Sequence, residues 1–82
     1  MNENLVRDLE ILTTGDDVKK LQEILIKQGF SIPAGPTGIF GSQTKLALSA
    51  YQSTNAIAPA SGYFGAKTRM HMKSSGVEGL WW

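Results

Sequence analysis

Eighty-two residues without a cysteine make one small domain, near the lower limit at which a hydrophobic core alone sustains a fold. The missing cysteines exclude a disulfide framework and a thiolate metal site, and the formal net charge of +1, with both signs interspersed, is too weak a field for nucleic-acid binding by counterion release. No apolar run approaches the ~20 residues that span a bilayer, so stability must come from packing Leu, Ile, Val, Phe and Met.

In chain order, Met1-Asn2-Glu3-Asn4 is polar and carries no secretion signal, which leaves a cytoplasmic chain, a mature domain and an excised domain open. Residues 5–12 have mixed periodicity: Leu5, Leu9 and Leu12 suit a helix, whereas Leu9 and Ile11 suit a strand. A first helix is predicted from Asp16 to Gln28, capped by Asp16, with Asp17 in its first turn complementing the helix dipole. Val18, Leu21 and Leu25 form its inward stripe, and Gly29 stops it. The loop from Phe30 to Pro36 holds two prolines and a glycine and cannot be helical. A second helix is predicted from Ser42 to Ser53, entered through Gly41 and capped by Ser42, with Leu46, Ala47, Ala50 and Tyr51 on one face and Leu48 beside them. After an irregular stretch from Asn55 to Ser61, a third helix runs from Ala66 to Ser75, with Met70 inward, Met72 as the second candidate, and Gly76 as the stop. The sum is an all-α domain, a small three-helix bundle. A short apolar tail, 77–82, ends in Trp81-Trp82, which suits an end docked back on the core or an engineered end better than a binding surface.

Two stretches of the chain are copies. Thr37-Gly38-Ile39-Phe40-Gly41-Ser42-Gln43-Thr44-Lys45 recurs, 24 positions on, as Ser61-Gly62-Tyr63-Phe64-Gly65-Ala66-Lys67-Thr68-Arg69. Val18-x-x-Leu21-Gln22 opens the first unit and Leu48-x-x-Tyr51-Gln52 the second, and each passes through a Pro-Ala step, Pro33-Ala34 or Pro59-Ala60, into its Gly-x-Phe-Gly turn. The bundle is therefore a duplicated helix-loop-turn unit.

The ordered series Leu12-x-x-Gly15-x-Asp17-Val18-x-x-Leu21-Gln22-x-x-Leu25-x-x-x-Gly29, then Thr37-Gly38-x-Phe40-Gly41-x-x-Thr44-x-x-Ala47-Leu48-x-x-Tyr51-Gln52, then Gly62-x-Phe64-Gly65-x-x-Thr68, resembles the peptidoglycan-binding domain of the type 1 family. The resemblance runs from about Leu12 to Met72. It divides the chain into an N-terminal extension (1–11), the domain (12–76) and the tail (77–82). It implies a non-catalytic module of the cell envelope or extracellular space that targets a bacterial or phage wall protein to peptidoglycan, with no cofactor. The chain departs from the family pattern at Thr37 and Ser61, where Asp is frequent, at Tyr51, where Phe is usual, and at Arg69, where an aromatic often stands.

The repeated residues read first as scaffold. Glycines of each turn supply positive φ, Phe40 and Phe64 plug the core, Thr44 and Thr68 bond loop backbone, and Gln22 and Gln52 tie down a neighbouring loop. Function is sought where the copies differ. Tyr63, variable against Ile39, offers a flat face and a hydroxyl to a sugar ring or an N-acetyl group. Gln43, Lys45, Lys67 and Arg69 surround the helix starts after the turns, where free N–H groups and cations favour a stem-peptide carboxylate. Candidate ligand contacts are thus Tyr63, Arg69, Gln43, Lys45, Lys67 and Ile39. A lone His71 makes a zinc site untenable and reads as a half-buried helix residue. Adjacent Asp16 and Asp17 read as capping rather than as a hydrolytic pair.

These features lead to a peptidoglycan partner (glycan strand or stem peptide), with no nucleic acid, no membrane span, and a monomer that can be part of a larger protein. The competing expectation is a protein-interaction module of the same fold without glycan affinity. A helix-turn-helix reading of the short helices is disfavoured by the weak charge.

Overall fold

The computed structural model describes residues 8–76, and the predicted tail at 77–82 lies outside them. Three helices follow one another: α1 (Asp16–Lys27), α2 (Ser42–Thr54) and α3 (Ala66–Ser74), each within one residue of its expected bounds. No helix among the described residues is long and apolar enough to cross a membrane.

Helix starts differ from expectation. Gly15, Gly41 and Gly65 occupy the three N-cap positions and no side chain caps any of them, so Asp16 and Ser42 are the first residues inside their helices rather than caps. At the other end of α1, Gly29 takes φ 96° and the Phe30 and Gly29 N–H groups bond back to the Leu25 and Ile26 carbonyls, a Schellman stop. α2 ends the same way, but with Ala56 at φ 58° in the glycine position, while Ile57 N–H bonds Gln52 C=O. A left-handed alanine is strained, so Ala56→Gly should raise stability by about 0.5–1 kcal/mol, read as a higher urea midpoint at unchanged slope. Phe30 and Ile57, the residues just past these stops, fold their side chains back on the core.

The core is built from Val18, Leu21 and Leu25 of α1, Leu48 of α2, Met72 of α3 and the two turn phenylalanines, Phe40 and Phe64, all fully excluded from solvent. Leu46 and Met70, expected to face inward, are instead 71% and 63% exposed, and Ala50 is exposed as well. The inward stripe of α2 is Thr44, Ala47, Leu48, Tyr51 and Gln52, and that of α3 includes Thr68 and Met72. Two polar residues belong to each unit's buried set, and counting only apolar residues rotates the predicted face away from them. His71 is half-buried, its ring edge-on to Tyr51 at 5.9 Å.

Of the undecided segment before α1, Leu5 lies outside the described residues, and residues 8–12 form neither helix nor full strand. Leu9 exchanges both backbone hydrogen bonds with Phe64, at 2.9 and 2.8 Å, and its side chain is completely buried. Farther along, Leu12 N–H bonds Phe40 C=O, Phe40 N–H bonds Thr13 C=O, and Gly15 N–H bonds Gly38 C=O. Residues 9–15, bent by a turn in which Thr13 N–H bonds Glu10 C=O at 2.9 Å and Leu12 takes φ 77°, thus touch both copies of the turn, the second through Leu9 and the first through residues 12–15.

Candidate functional site

Each turn is gripped from below by a buried glutamine of the preceding helix. Gln22 accepts from Gly38 N–H (2.9 Å) and donates through Nε2 to Ile39 C=O (2.9 Å) and Thr44 Oγ1 (2.9 Å). Gln52 repeats this: Gly62 N–H at 2.8 Å, Tyr63 C=O at 2.7 Å and Thr68 Oγ1 at 3.0 Å. The glutamines therefore tie down the loops as expected. Thr44 and Thr68 instead bond the glutamine amides, not loop backbone. Among the described residues no buried side-chain polar atom lacks a partner, as a buried amide requires.

The turn glycines divide their labour. Gly38 and Gly62, at φ 83° and 81°, supply the positive φ, whereas Gly41 and Gly65, at φ −104° and −113°, do not need it and serve as helix N-caps. Gly65 has a second reason to lack a side chain: a Cβ there would stand 2.9 Å from Tyr63 Cε2. The tyrosine ring lies over that glycine.

A groove opens beside each turn, between the loop and the start of the following helix. The first, about 310 Å³, is lined by Ile32, Thr37, Ile39, Ser42 and Gln43 among others, and the second, about 240 Å³, by Ile57 and by Ser61, Tyr63, Ala66 and Lys67, the counterparts of the last four. Gln43 and Lys67 hold the loop edges by bonds of opposite polarity. Ala34 N–H donates to Gln43 Oε1 at 2.8 Å, while Lys67 Nζ donates to Ala58 C=O at 2.9 Å. Ile39 stands at the rim of the first groove, 58% exposed.

Tyr63 and Arg69 meet on one carboxylate. Tyr63 donates its hydroxyl to Asp8 Oδ2 and Arg69 donates Nη1 to Asp8 Oδ1, each at 2.6 Å, while the guanidinium sits 6.0 Å from the Phe64 ring centre. Lys45, the counterpart of Arg69, lies apart from this cluster, with its stem against Gly62. The six candidates thus fall into two groups. Tyr63, Lys67 and Arg69 gather at the second turn, and Ile39 and Gln43 at the first, while Lys45, on α2, packs against the second turn at Gly62.

Asp8 is the residue that sequence reasoning missed. Its partners lie 55 and 61 positions away, so no local pattern could announce it. The hydrogen bond from Tyr63, then that from Arg69, hold its carboxyl below the ordinary 3.8, and the same contact with Asp8 pushes the Tyr63 phenol above 10.0. A depressed acid stabilises the fold above its unfolded pKa and loses that contribution as pH falls through the folded value. The clasp should therefore stay closed through neutral pH and open only below pH 3.8, with Arg69 Nη protons broadening together with the Asp8 carboxyl carbon shift in an NMR acid titration. An Asp8 titration centred at or above 3.8 would show the clasp absent in solution.

Comparison with known proteins fits this geometry. The model of the peptidoglycan binding domain family matches residues 14–72. The crystal structure of the SleB N-terminal domain superposes with a TM-score of 0.78 at 29% identity, over 88% of this chain and 96% of that one. A peptidoglycan-binding protein from Clostridioides difficile, in complex with glutamine hydroxamate, superposes at 0.74 with 25% identity, over 82% of this chain and 40% of that one. No curated protein sequence matches the chain.

Proposed function

The chain belongs to the peptidoglycan-binding domain family, and on that premise we propose that it is a non-catalytic module that holds a larger envelope or lytic protein on the wall. The observation that carries this reading is the duplicated groove, one beside each Gly-x-Phe-Gly turn. The groups that converge there are amides, hydroxyls, a tyrosine and one cation, Lys67, which hold a ligand rather than cleave it. Tyr63, Lys67 and Arg69 would make the principal contacts, on a glycan ring or a stem-peptide carboxylate, with Ile39 and Gln43 at the first turn and Lys45 on α2 beside the second. Contact on this scale is weak, and a tethered protein gains from it through raised local concentration. The module works in the cell envelope or outside the cell, as a monomer. We take its folded unit to begin no later than Asp8, since Leu9 is part of the core.

Co-sedimentation with insoluble sacculi at low and physiological salt tests this. The domain should be retained at both, and Tyr63→Ala should lower retention at least five-fold. The second reading, a protein-interaction module without glycan affinity, draws on Leu46 and Met70, apolar side chains exposed at equivalent positions of α2 and α3. It requires that sacculi retain neither wild type nor variant.

A further inference from the structure

We propose that the two grooves are separate sites of different chemistry, and that the first takes the acetamido group of an uncharged N-acetylated saccharide while the second takes a carboxylate. This rests on the wall-binding reading above and adds to it a division of the ligand between the copies.

The argument turns on what each groove has left to offer. No ionisable side chain lines the first groove. Its loop-tethering residue, Gln43, has its carbonyl oxygen engaged by Ala34 N–H, so the amide NH2 end remains, without a hydrogen-bond partner among the described residues. A fixed carbonyl end makes that side chain a donor, which selects an acceptor on the ligand. The acceptor should be neutral. An uncharged donor in an apolar groove offsets the desolvation of an amide oxygen but not that of a carboxylate, whose loss of water costs far more. Ile32 and Ile39 supply an aliphatic wall for a methyl group, and the Ser42 hydroxyl stands at the same helix start. A methyl joined to a carbonyl is an acetyl group, which an N-acetylated sugar carries as an acetamide. The volume, about 310 Å³, lies at the small end of ligand pockets, ~300–1,000 Å³, which suits a single sugar residue.

In the second groove the tether is Lys67. One of its N–H groups holds Ala58 C=O, and its positive charge remains at the groove wall beside the Tyr63 ring, with no acidic residue in the lining. A charged donor roughly doubles the strength of a hydrogen bond and favours an ionised acceptor. The exchange of one residue, Gln43 for Lys67, therefore separates the two specificities.

NMR of the isotope-labelled full chain decides this, titrated with an N-acetylglucosamine tetramer, with acetyl-Lys-D-Ala-D-Ala, and with the C-terminal amide of that peptide. The saccharide should shift the backbone amides of Gly35 and Ile39 and the Gln43 side-chain NH2, equally at low and physiological salt. The peptide acid should shift Tyr63 and Lys67, and either salt or amidation should weaken it. Gln43→Lys should lower saccharide affinity at least five-fold and bring the peptide acid into the first groove. Ile39→Ser, which leaves the loop tether intact, should also weaken the saccharide, and Lys67→Gln should weaken the peptide acid at least five-fold. Saccharide shifts confined to the second groove, or the peptide amide displacing the saccharide from the first, would overturn the proposal. If sacculi retain the domain while no groove residue responds to any probe, the division of ligands is wrong and wall binding stands. If sacculi do not retain it, the reading beneath both is wrong.

Discussion

Replacing Gln52 by leucine should remove most of the stability of the fold, about 3–5 kcal/mol, since each buried group stripped of its partner costs about 1–3 kcal/mol. Leucine keeps the volume but strands Gly62 N–H, Tyr63 C=O and Thr68 Oγ1, all held by a side chain only 1% exposed. The threonine hydroxyl can rotate toward another acceptor, which keeps the total below the sum of three full penalties. A domain of this size has a margin toward the low end of the usual ~5–15 kcal/mol, so the variant should lose its urea baseline or unfold outright by far-UV circular dichroism. Gln52→Glu should be no better, because an ionised carboxylate can accept from Gly62 but donates to neither oxygen. A loss below about 1 kcal/mol in the leucine variant would mean that Phe64 packing, not the amide, fixes the second turn.

Gly62→Ala should be the second most damaging change, at about 3–4 kcal/mol, and its twin Gly38→Ala should cost only about 1–2 kcal/mol. Both glycines hold nearly the same positive φ, so both variants carry the left-handed strain of an L-residue. Their surroundings differ. A Cβ at position 62 would stand 2.7 Å from the Lys45 carbonyl oxygen and 2.5 Å from its Cγ, whereas at 38 the nearest atom is Gly15 O at 3.4 Å. The lysine stem can swing away but the helix backbone cannot, so the second turn must lift off α2. Paired thermal melts of the two variants isolate that contact, and equal losses would show that only the backbone angle matters.

Much of this molecule is readable from its residues because the repeat states each device twice. Gln22 and Gln52 recur before the two turns, and a polar residue repeated at one step of an apolar stripe is hard to explain except as a clamp. The same habit misleads at Leu46 and Met70. Both are apolar and lie near the core stripe in sequence, yet Thr44 with Gln52, and Thr68, claim the buried side of their helices. Local periodicity weighs hydrophobicity and cannot see that hydroxyl and amide will satisfy each other. Asp8 and Leu9 were beyond reach for a different reason. Their partners, Arg69 and Phe64, become neighbours only after the whole chain has folded, and no short-range pattern encodes such a meeting. Of the candidate site, the second-turn cluster was visible as a difference between copies, but the carboxylate that joins Tyr63 to Arg69 was not.

Tandem units can in principle continue, each new helix holding the turn that follows it, and an array of this kind has to be told where to stop. Gln52 lies eight residues after Thr44, and eight residues after Thr68 the chain has Gly76, at φ 77°, two positions beyond the end of α3. The third helix terminates before it could present a clamp of its own, so it can close the second unit but cannot start another. Growth is blocked by a missing turn of helix.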